Sequence, residues 1–271
     1  MNRLALFEAY ERPSPLSGVN PAIKLATSIV VMLAASVVFD LQSLTGIFAL
    51  GLVVAVAGGR VPLRVIARGL VPFALFGFGY FWMNAVLPRE AGTVLLDIGP
   101  LAVVREGALN GVRFAVRALC FGIYSIVFVA TTDPTDLARS INQNLRVPAR
   151  FTYSALAAYR YLPTLKSELH QIRAAHRLRG LGEGDGVRGK VVQIYRYTIP
   201  LLAASLRRAG RVADSMETRG LGREPRTDFR AVRVRTRDWL YAAGLLAAVA
   251  AILLATAGAG VLELWRGRLW E

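Results

Sequence analysis

Apolar and polar positions divide this chain into uncharged stretches and one long cationic stretch. Residues 69–88 and 239–262 carry no charged side chain, and residues 41–59 are also uncharged. A helix of about 20 residues crosses a hydrocarbon core of about 30 Å, so stretches of this length predict membrane spans. We predict five transmembrane helices, over residues 22–39, 41–58, 69–87, 107–130 and 239–259.

Residues 131–237, between the fourth and fifth spans, have a different pattern, and we call them the basic segment. Apolar side chains recur at intervals of three and four residues within 162–172 and 201–216, which is typical of amphipathic helices. Asp133 followed by proline is a suitable N-cap for the first of three helices. We predict a short helix and two long ones, over about 134–144, 149–179 and 190–219.

The predicted fold class is an all-α membrane protein, with about five transmembrane helices and a cytoplasmic region of two long amphipathic helices and one short helix. N-terminal membrane helices occupy residues 1–130, and a C-terminal membrane helix and tail occupy residues 238–271. The basic segment lies between them. Pro163 and Pro200 fall inside its two long helices, where we expect a kink or a restart.

The charge distribution predicts the orientation. The chain is 54% hydrophobic, yet its formal net charge is +15. The basic segment holds 21 Lys and Arg residues against 9 Asp and Glu residues, an excess that is typical of the cytoplasmic side. The loop 58–68 should share that side. Alternation then places the C-terminus outside, although Arg266 and Arg268 favour the opposite placement.

Three kinds of partner could explain the positive charge. Anionic lipid headgroups attract each basic residue near a membrane surface by about 1 kcal/mol, which accounts for most of these arginines. An acidic partner protein would bind only a few of them. Nucleic acid is disfavoured, because the basic segment lacks aromatic stacking platforms and known nucleic-acid-binding motifs.

The sequence offers no catalytic, metal or cofactor site. Residues 184–191 fit the start of a phosphate-binding loop, but that pattern requires Ser or Thr where Val191 stands, so we interpret the stretch as a flexible linker. His170 and His176 are six residues apart, which does not place both on one helix face for a shared metal. Cys120 lies in a predicted span and is explained by packing. We therefore predict that the chain is not an enzyme.

Two arginines, Arg113 and Arg117, lie near the start of the fourth predicted span. Ionisable groups inside a span are functional candidates by default. If the membrane boundary begins near Ala118, however, both side chains extend to the headgroups. The sequence leaves both interpretations open.

The two long helices of the basic segment end in the same four residues, and a small residue precedes each arginine by four positions. A cation near a helix C-terminus gains about 0.3–1 kcal/mol from the helix dipole, and glycine commonly follows, so one such end needs no function. Two matched ends indicate a device with two equivalent contact points. The ends are Arg179-Gly180-Leu181-Gly182, preceded by Ala175, and Arg219-Gly220-Leu221-Gly222, preceded by Ser215.

The chain resembles a known family, the transmembrane T components of energy-coupling factor (ECF) transporters, which include the Q subunit of cobalt and nickel importers and the biotin-importer transmembrane subunit. The paired signature of that family is Ala-x-x-x-Arg-Gly. Here the second copy has Ser215 in place of Ala, and Asn20 stands where Asp is commoner. The matching stretches are 14–16, 20–25, 132–137, 159–163 with Glu168, 175–180 and 215–220.

The resemblance implies a function for both ends. A T component of a bacterial cell (inner) membrane joins a substrate-binding membrane subunit, the S component, to two cytoplasmic ATP-binding cassette ATPase subunits. Carried over, Arg179 and Arg219 would dock into the ATPases, Gly180 and Gly220 would shape the turns, and Ala175 and Ser215 would allow close packing. The apolar stripes would face the S component, which selects a vitamin or a transition-metal ion. Two alternatives remain, a conventional ABC-importer permease and a scaffold binding anionic lipid.

Overall fold

A computed structural model describes residues 14–86, 94–98, 101–145, 147–180, 186–222 and 232–260. Eight α-helices and one short hairpin form the described part. The helices are α1 (Pro21–Val37), α2 (Leu41–Val53, continued by a π-helical turn, Val54–Gly58), α3 (Leu63–Val86), α4 (Arg105–Thr131), α5 (Pro134–Asn144), α6 (Ala149–Leu178), α7 (Gly186–Thr218) and α8 (Thr236–Gly258). Strands β1 (Val94–Ile98) and β2 (Leu101–Val104) pair antiparallel between α3 and α4. The predicted all-α class is confirmed, with this small hairpin as an addition.

Two compact units make up the chain. The first, which we call the membrane unit, comprises Met1–Leu137 and Arg233–Glu271. The second, which we call the basic unit, comprises Ala138–Val232. The membrane unit contains α1 to α4 and α8, and the basic unit contains most of α5 together with α6 and α7.

Four helices of the membrane unit are long and apolar enough to cross a membrane, over Leu41–Gly58, Leu63–Asn84, Gly107–Thr131 and Thr236–Gly258. These correspond to four of the five predicted spans. The remaining predicted span, the first in the chain, corresponds to α1. This helix has 17 residues, about 26 Å, and is shorter than a usual span. The third span begins six residues earlier than predicted, because α3 includes Arg64 and Arg68 in its first turns.

The membrane helices alternate in direction. In α2, Gly51 lies against Ile123 of the parallel α4, whereas in α3 Gly77 lies against Ala115 of the antiparallel α4. The approach of α3 to α4 is close: a Cβ added at Gly111 of α4 would come within 2.9 Å of the Phe81 Cα. Small residues at such positions let membrane helices pack backbone against backbone.

The core of the membrane unit surrounds Tyr124 of α4. This side chain is buried, and its hydroxyl donates to the Ile47 carbonyl of α2 at 3.1 Å. Val31 of α1 and Leu44 of α2 are likewise buried in the same cluster, and Leu245 and Val249 bring α8 into it. α1, α2, α4 and α8 therefore share one core.

One end of the membrane unit brings four chain segments together. The Leu16 backbone N–H donates to the Gly58 carbonyl at 3.3 Å, and the Asn20 N–H donates to Asp238 Oδ1 at 3.0 Å. The N-terminal segment, the turn after α2, the end of α4 and the start of α8 thus lie together. The predicted alternation of five helices requires this arrangement.

In the basic unit, the predicted helices agree closely with the structure. The predicted N-cap of α5 is present, since Asp133 Oδ1 accepts from the Thr135 N–H at 2.6 Å and from the Asp136 N–H at 3.1 Å. α6 and α7 each contain their proline, Pro163 or Pro200, without a break in the helix. Each helix therefore continues through its proline and does not restart there.

Candidate docking ends and the helix crossing

The first candidate docking end closes α6. The helix ends at Leu178, and the backbone N–H of its cap residue, Arg179, donates to the Ala175 carbonyl at 3.2 Å. Gly180 follows with φ +70°, a left-handed conformation that glycine adopts without a steric penalty. Its N–H donates to the Arg177 carbonyl at 3.1 Å, so the helix ends in a left-handed glycine cap.

The second candidate end closes α7 in the same way. The Arg219 N–H donates to the Ser215 carbonyl at 3.3 Å, and Gly220 has φ +79°. The Gly220 N–H donates to Glu217 and the Leu221 N–H donates to Met216, both at 2.9 Å, which completes a Schellman motif. The Arg-Gly part of the repeat therefore has the same left-handed glycine conformation in both copies, while Leu181 and Gly182 lie outside the described residues.

Both arginines lie on the surface of the basic unit. Arg179 and Arg219 are exposed, as are Ala175 and Ser215 one turn earlier. The Ser215 hydroxyl donates to the Arg211 carbonyl of its own helix at 2.7 Å. Because that bond keeps the hydroxyl on its own helix, Ser215 offers a small surface similar to that of Ala175.

An ion pair joins α6 and α7 where the two helices cross. Glu168 of α6 pairs with Arg208 of α7, and their side chains are 16% and 38% exposed. Tyr161 completes the contact: its hydroxyl donates to the second oxygen of Glu168 at 3.1 Å, and the guanidinium of Arg208 stacks 4.8 Å from its ring centroid. Desolvation and the bond to Glu168 raise the pKa of Tyr161, so the hydroxyl stays protonated at neutral pH.

A second contact lies nearer the first docking end. The His176 ring of α6 meets the Tyr197 ring of α7 edge to face, with centroids 5.4 Å apart. Arg173 stacks over the same tyrosine at 5.6 Å, and Gln193 donates to the tyrosine hydroxyl at 3.1 Å. His176 is therefore packed between the helices, whereas His170 is exposed.

The order of these contacts fixes the direction of the two helices. Glu168 of α6 contacts Arg208 of α7, and His176, later in α6, contacts Tyr197, earlier in α7. The helices are therefore antiparallel, and their C-terminal ends point in opposite directions. Arg219 lies 22 residues beyond Tyr197, about 33 Å of helix, so the two docking ends are far apart.

Apolar side chains along α7 form a surface that α6 does not cover, and we call it the α7 stripe. Its members are large hydrophobic residues that remain exposed, and their spacing of mostly three and four residues places them on one side of the helix. The α7 stripe consists of Val187, Val191, Ile194, Tyr195, Ile199, Leu202 and Leu206.

The apolar stripe of α6 has a different environment. Leu165, Leu169 and Ile172 are half-buried, and they share their helix side with Glu168, whose partner is α7. Only Leu162 among the four predicted members is largely exposed, at 54%. The free apolar surface of the pair therefore belongs mainly to α7.

Sequence reasoning missed how the arginines of α7 differ. The crossing helix makes Arg208 half-buried and paired, a contact that the apolar pattern of α7 does not predict. The stretch 184–191, which the sequence predicts to be a flexible linker, overlaps α7, because α7 already begins at Gly186. The phosphate-loop-like stretch therefore ends inside a helix, and its residues 184 and 185 lie outside the described part.

The membrane unit contains two buried cations that the sequence did not reveal. Lys24 of α1 is only 1% exposed, and its Nζ donates to the Thr131 carbonyl at 2.9 Å and to the Thr132 hydroxyl at 3.3 Å. Arg117 of α4 donates to the Ala35 and Val38 carbonyls at the end of α1. Arg117 is therefore buried within the membrane unit, against the end of α1.

Among the described residues, no group of three or more His, Cys, Asp and Glu side chains is placed to hold a metal ion. Cys120 is buried in the membrane unit, and its thiol donates to the Leu44 carbonyl at 3.3 Å.

Comparisons with known proteins agree with these features. The family model CbiQ, described as cobalt transport protein, matches residues 12–228, a range that includes both Arg-Gly ends. Energy-coupling factor transporter transmembrane protein EcfT 1 of Listeria monocytogenes serotype 1/2a is 32% identical over 212 residues, 75% of this chain and 77% of the relative. EcfT of Heliobacterium modesticaldum is 27% identical over 235 residues, 83% of this chain and 87% of that protein. EcfT of Lacticaseibacillus paracasei is 32% identical over 178 residues, covering 62% and 67%.

Proposed function

We propose that this chain, which belongs to the energy-coupling factor transporter transmembrane protein family, is the coupling subunit of an ATP-driven importer. The family is that of a non-catalytic transport component, so we assign ATP hydrolysis to partner subunits. The imported substrate would be a vitamin or a transition-metal ion, selected by a separate substrate-binding membrane subunit, the S component.

The observation that carries the proposal is the matched pair of exposed Arg-Gly ends. We assign one ATP-binding cassette ATPase subunit to each of Arg179 and Arg219. Their left-handed glycine caps present two guanidinium groups from similar backbones. A guanidinium can make a bidentate bond to a carboxylate in a groove, which a lysine cannot do. An ATPase pair offers two equivalent sites, so two equivalent ends are the expected complement.

We assign the α7 stripe to the S component. Leu202 and Leu206 are 62% and 76% exposed, which is unusual for leucine in a helix with a polar side available to water. A helix that presents an apolar side next to basic residues suits a surface at the edge of a bilayer. Movement of the two anchored ends would then pass through α7 to the substrate-binding subunit.

We place the basic unit in the cytoplasm of a bacterium and the membrane unit in the inner membrane. Arg60, Arg64 and Arg68 lie in the turn after α2 and the first turns of α3, at the same end of the membrane unit as the start of α8. An excess of cations on one side of the spans is typical of the cytoplasmic side.

Two other functions would leave different signatures. A conventional ABC-importer permease normally presents one coupling motif per chain, and a scaffold for anionic lipid would need only the positive charge. The duplicated end favours the T component over both. Affinity purification of the tagged chain from its native membranes tests this: we expect two ATPase subunits and a small hydrophobic membrane protein. Recovery of lipid alone would contradict the proposal.

A further inference from the structure

Glu168 and Arg208 occupy equivalent positions in the two repeated helices. Glu168 precedes Arg179 by 11 residues, and Arg208 precedes Arg219 by 11 residues. The two residues are therefore 40 positions apart, the same spacing that separates the two docking arginines. They also form the ion pair at the crossing of α6 and α7.

A contact between equivalent positions has a geometrical meaning. When two like elements are related by a twofold rotation, residue i of one contacts residue j of the other, and j contacts i. A residue that contacts its own equivalent therefore lies at the axis. The Glu168–Arg208 pair marks the centre of the crossed helices, and each docking arginine lies 11 residues away along its own helix, about 16 Å in opposite directions.

The opposite charges of Glu168 and Arg208 avoid a repulsion that an exact repeat would cause at the crossing. If both helices carried the same ionised residue at the axis, two like charges would face each other at the crossing. Here one helix carries a carboxylate and the other a guanidinium, so the contact is attractive. Since Glu168 is mostly buried, this attraction is screened less than that of an ion pair in water.

Tyr161 fixes the geometry of the pair. One oxygen of Glu168 accepts from Arg208, and the other accepts from the Tyr161 hydroxyl at 3.1 Å. The Arg208 guanidinium lies over the tyrosine ring, with 4.8 Å to the centroid. Each partner is thus held by two contacts, which defines an angle between the helices as well as a point of contact.

We propose that the Glu168–Arg208 pair, braced by Tyr161, is the fulcrum that sets the spacing and direction of the two docking ends. The inference rests on the proposed function, in which Arg179 and Arg219 each bind one ATPase subunit. Because the fulcrum is equidistant from both ends, a change of angle there moves both ends equally. Glu168 and Arg208 are positioning residues that act through the docking arginines.

The second contact between the helices cannot play this role. The His176–Tyr197 contact lies three residues before Arg179 but 22 residues before Arg219. Its loss would release the first docking end and leave the second almost unaffected. The two contacts therefore predict different results when each is removed.

The experiment measures the distance between the two ends in the full-length chain. Spin labels are attached to cysteines at the exposed positions Leu178 and Thr218, in a Cys120→Ser background that removes the native thiol and keeps a hydrogen-bond donor. Pulsed electron paramagnetic resonance then gives the distribution of label distances. We expect one narrow peak at roughly 30–40 Å, from two arms of about 16 Å each.

Three variants test the fulcrum. Glu168→Gln removes the charge and should broaden the peak, and the charge swap Glu168→Arg with Arg208→Glu should restore a narrow peak. Arg207→Gln, an exposed neighbour on α7, is the control and should leave the peak unchanged. A narrow, unshifted peak in Glu168→Gln would overturn the proposal, as would a swap as broad as the single variant.

A functional measurement complements the distance. In the reconstituted complex, Glu168→Gln should lower transport per ATP hydrolysed severalfold while both ATPase subunits remain bound, because the two docking ends then lack a fixed common pivot. The swap should recover most of the loss. Unchanged transport per ATP in Glu168→Gln would overturn the fulcrum. If the proposed function is wrong, the result will be different: the wild-type chain will retain no ATPase subunit, although its distance peak will stay narrow.

Discussion

The Lys24 ammonium of α1 donates a hydrogen bond to the backbone carbonyl of Thr131, the last residue of α4, at 2.9 Å. A cation from the start of one membrane helix thus satisfies a carbonyl at the end of another. The same ammonium reaches the Thr131 and Thr132 hydroxyls at 3.2 and 3.3 Å. The chain leaves the membrane unit at this point, so Lys24 anchors the departure towards α5.

Replacing Lys24 with methionine should destabilise the membrane unit. The substitution keeps the length of the side chain but leaves the Thr131 carbonyl without its buried donor, at a cost of about 1–3 kcal/mol. Thermal unfolding in detergent, followed by circular dichroism, should show a lower Tm. Lys190→Met is the matched control, because Lys190 is exposed on α7, and its Tm should stay at the wild-type value.

Arg117 should contribute to stability through the end of α1. Its guanidinium donates to the Ala35 and Val38 carbonyls and stacks 4.5 Å from the Phe39 ring centroid. Arg117→Leu should cost about 2–3 kcal/mol, because two buried carbonyls lose a charged donor. Arg117→Lys should recover only part of this, since an ammonium lacks the planar fork and the stacking surface.

Arg113 serves as the comparison for Arg117. It donates to Asn110 one turn earlier on its own helix at 3.3 Å, a contact near the surface. Arg113→Leu should change the free energy of unfolding by less than about 1 kcal/mol. Denaturation in mixed detergent micelles measures all three variants, and equal losses for Arg113→Leu and Arg117→Leu would contradict the assigned role.

Gly180 tests the backbone geometry of a docking end without touching its charge. Nothing lies within 4 Å of a Cβ added there, but its φ of +70° strains any β-branched residue. Gly180→Asn, which tolerates this conformation, should keep ATPase binding, and Gly180→Val should weaken it severalfold. Surface plasmon resonance with the purified ATPases measures both. Equal affinities would show that the left-handed cap does not position Arg179.

The α7 stripe should bind the S component independently of the docking ends. Leu206→Glu places a charge in an apolar surface, so recovery of the small membrane subunit should fall while the ATPase subunits remain bound. Arg196→Glu, at an exposed position on the same helix, is the control. Loss of both partners in Leu206→Glu would instead indicate misfolding of the helix pair.

The local features of this fold could be predicted from sequence, whereas its long-range pairs could not. Uncharged length predicts the spans, Asp133 predicts the start of α5, and Gly180 and Gly220 predict where α6 and α7 end, because each signal acts on neighbouring residues. The pairing of Glu168 with Arg208 depends on how two helices cross, and 40 positions separate them. Spacing within one helix cannot reveal that contact.

The burial of two cations, Lys24 and Arg117, also could not be predicted from the sequence. The sequence leaves the environment of Arg117 open and does not show that Lys24 is buried, because a charged side chain near a span is usually solvated. Their burial depends on carbonyls at the ends of α4 and α1, which accept their hydrogen bonds only after the helices pack. The sequence does not show which helix end will lie beside each cation.

Each Arg-Gly end is proposed to hold one ATPase subunit. Native mass spectrometry of nucleotide-free complexes counts those subunits in the wild type, in Arg179→Glu, in Arg219→Glu and in the double variant, with Arg207→Glu as the control. We expect two subunits in the wild type and control, fewer in each single variant and none in the double variant, with the chain still inserted in the membrane. Two ATPase subunits retained by the double variant would contradict the account.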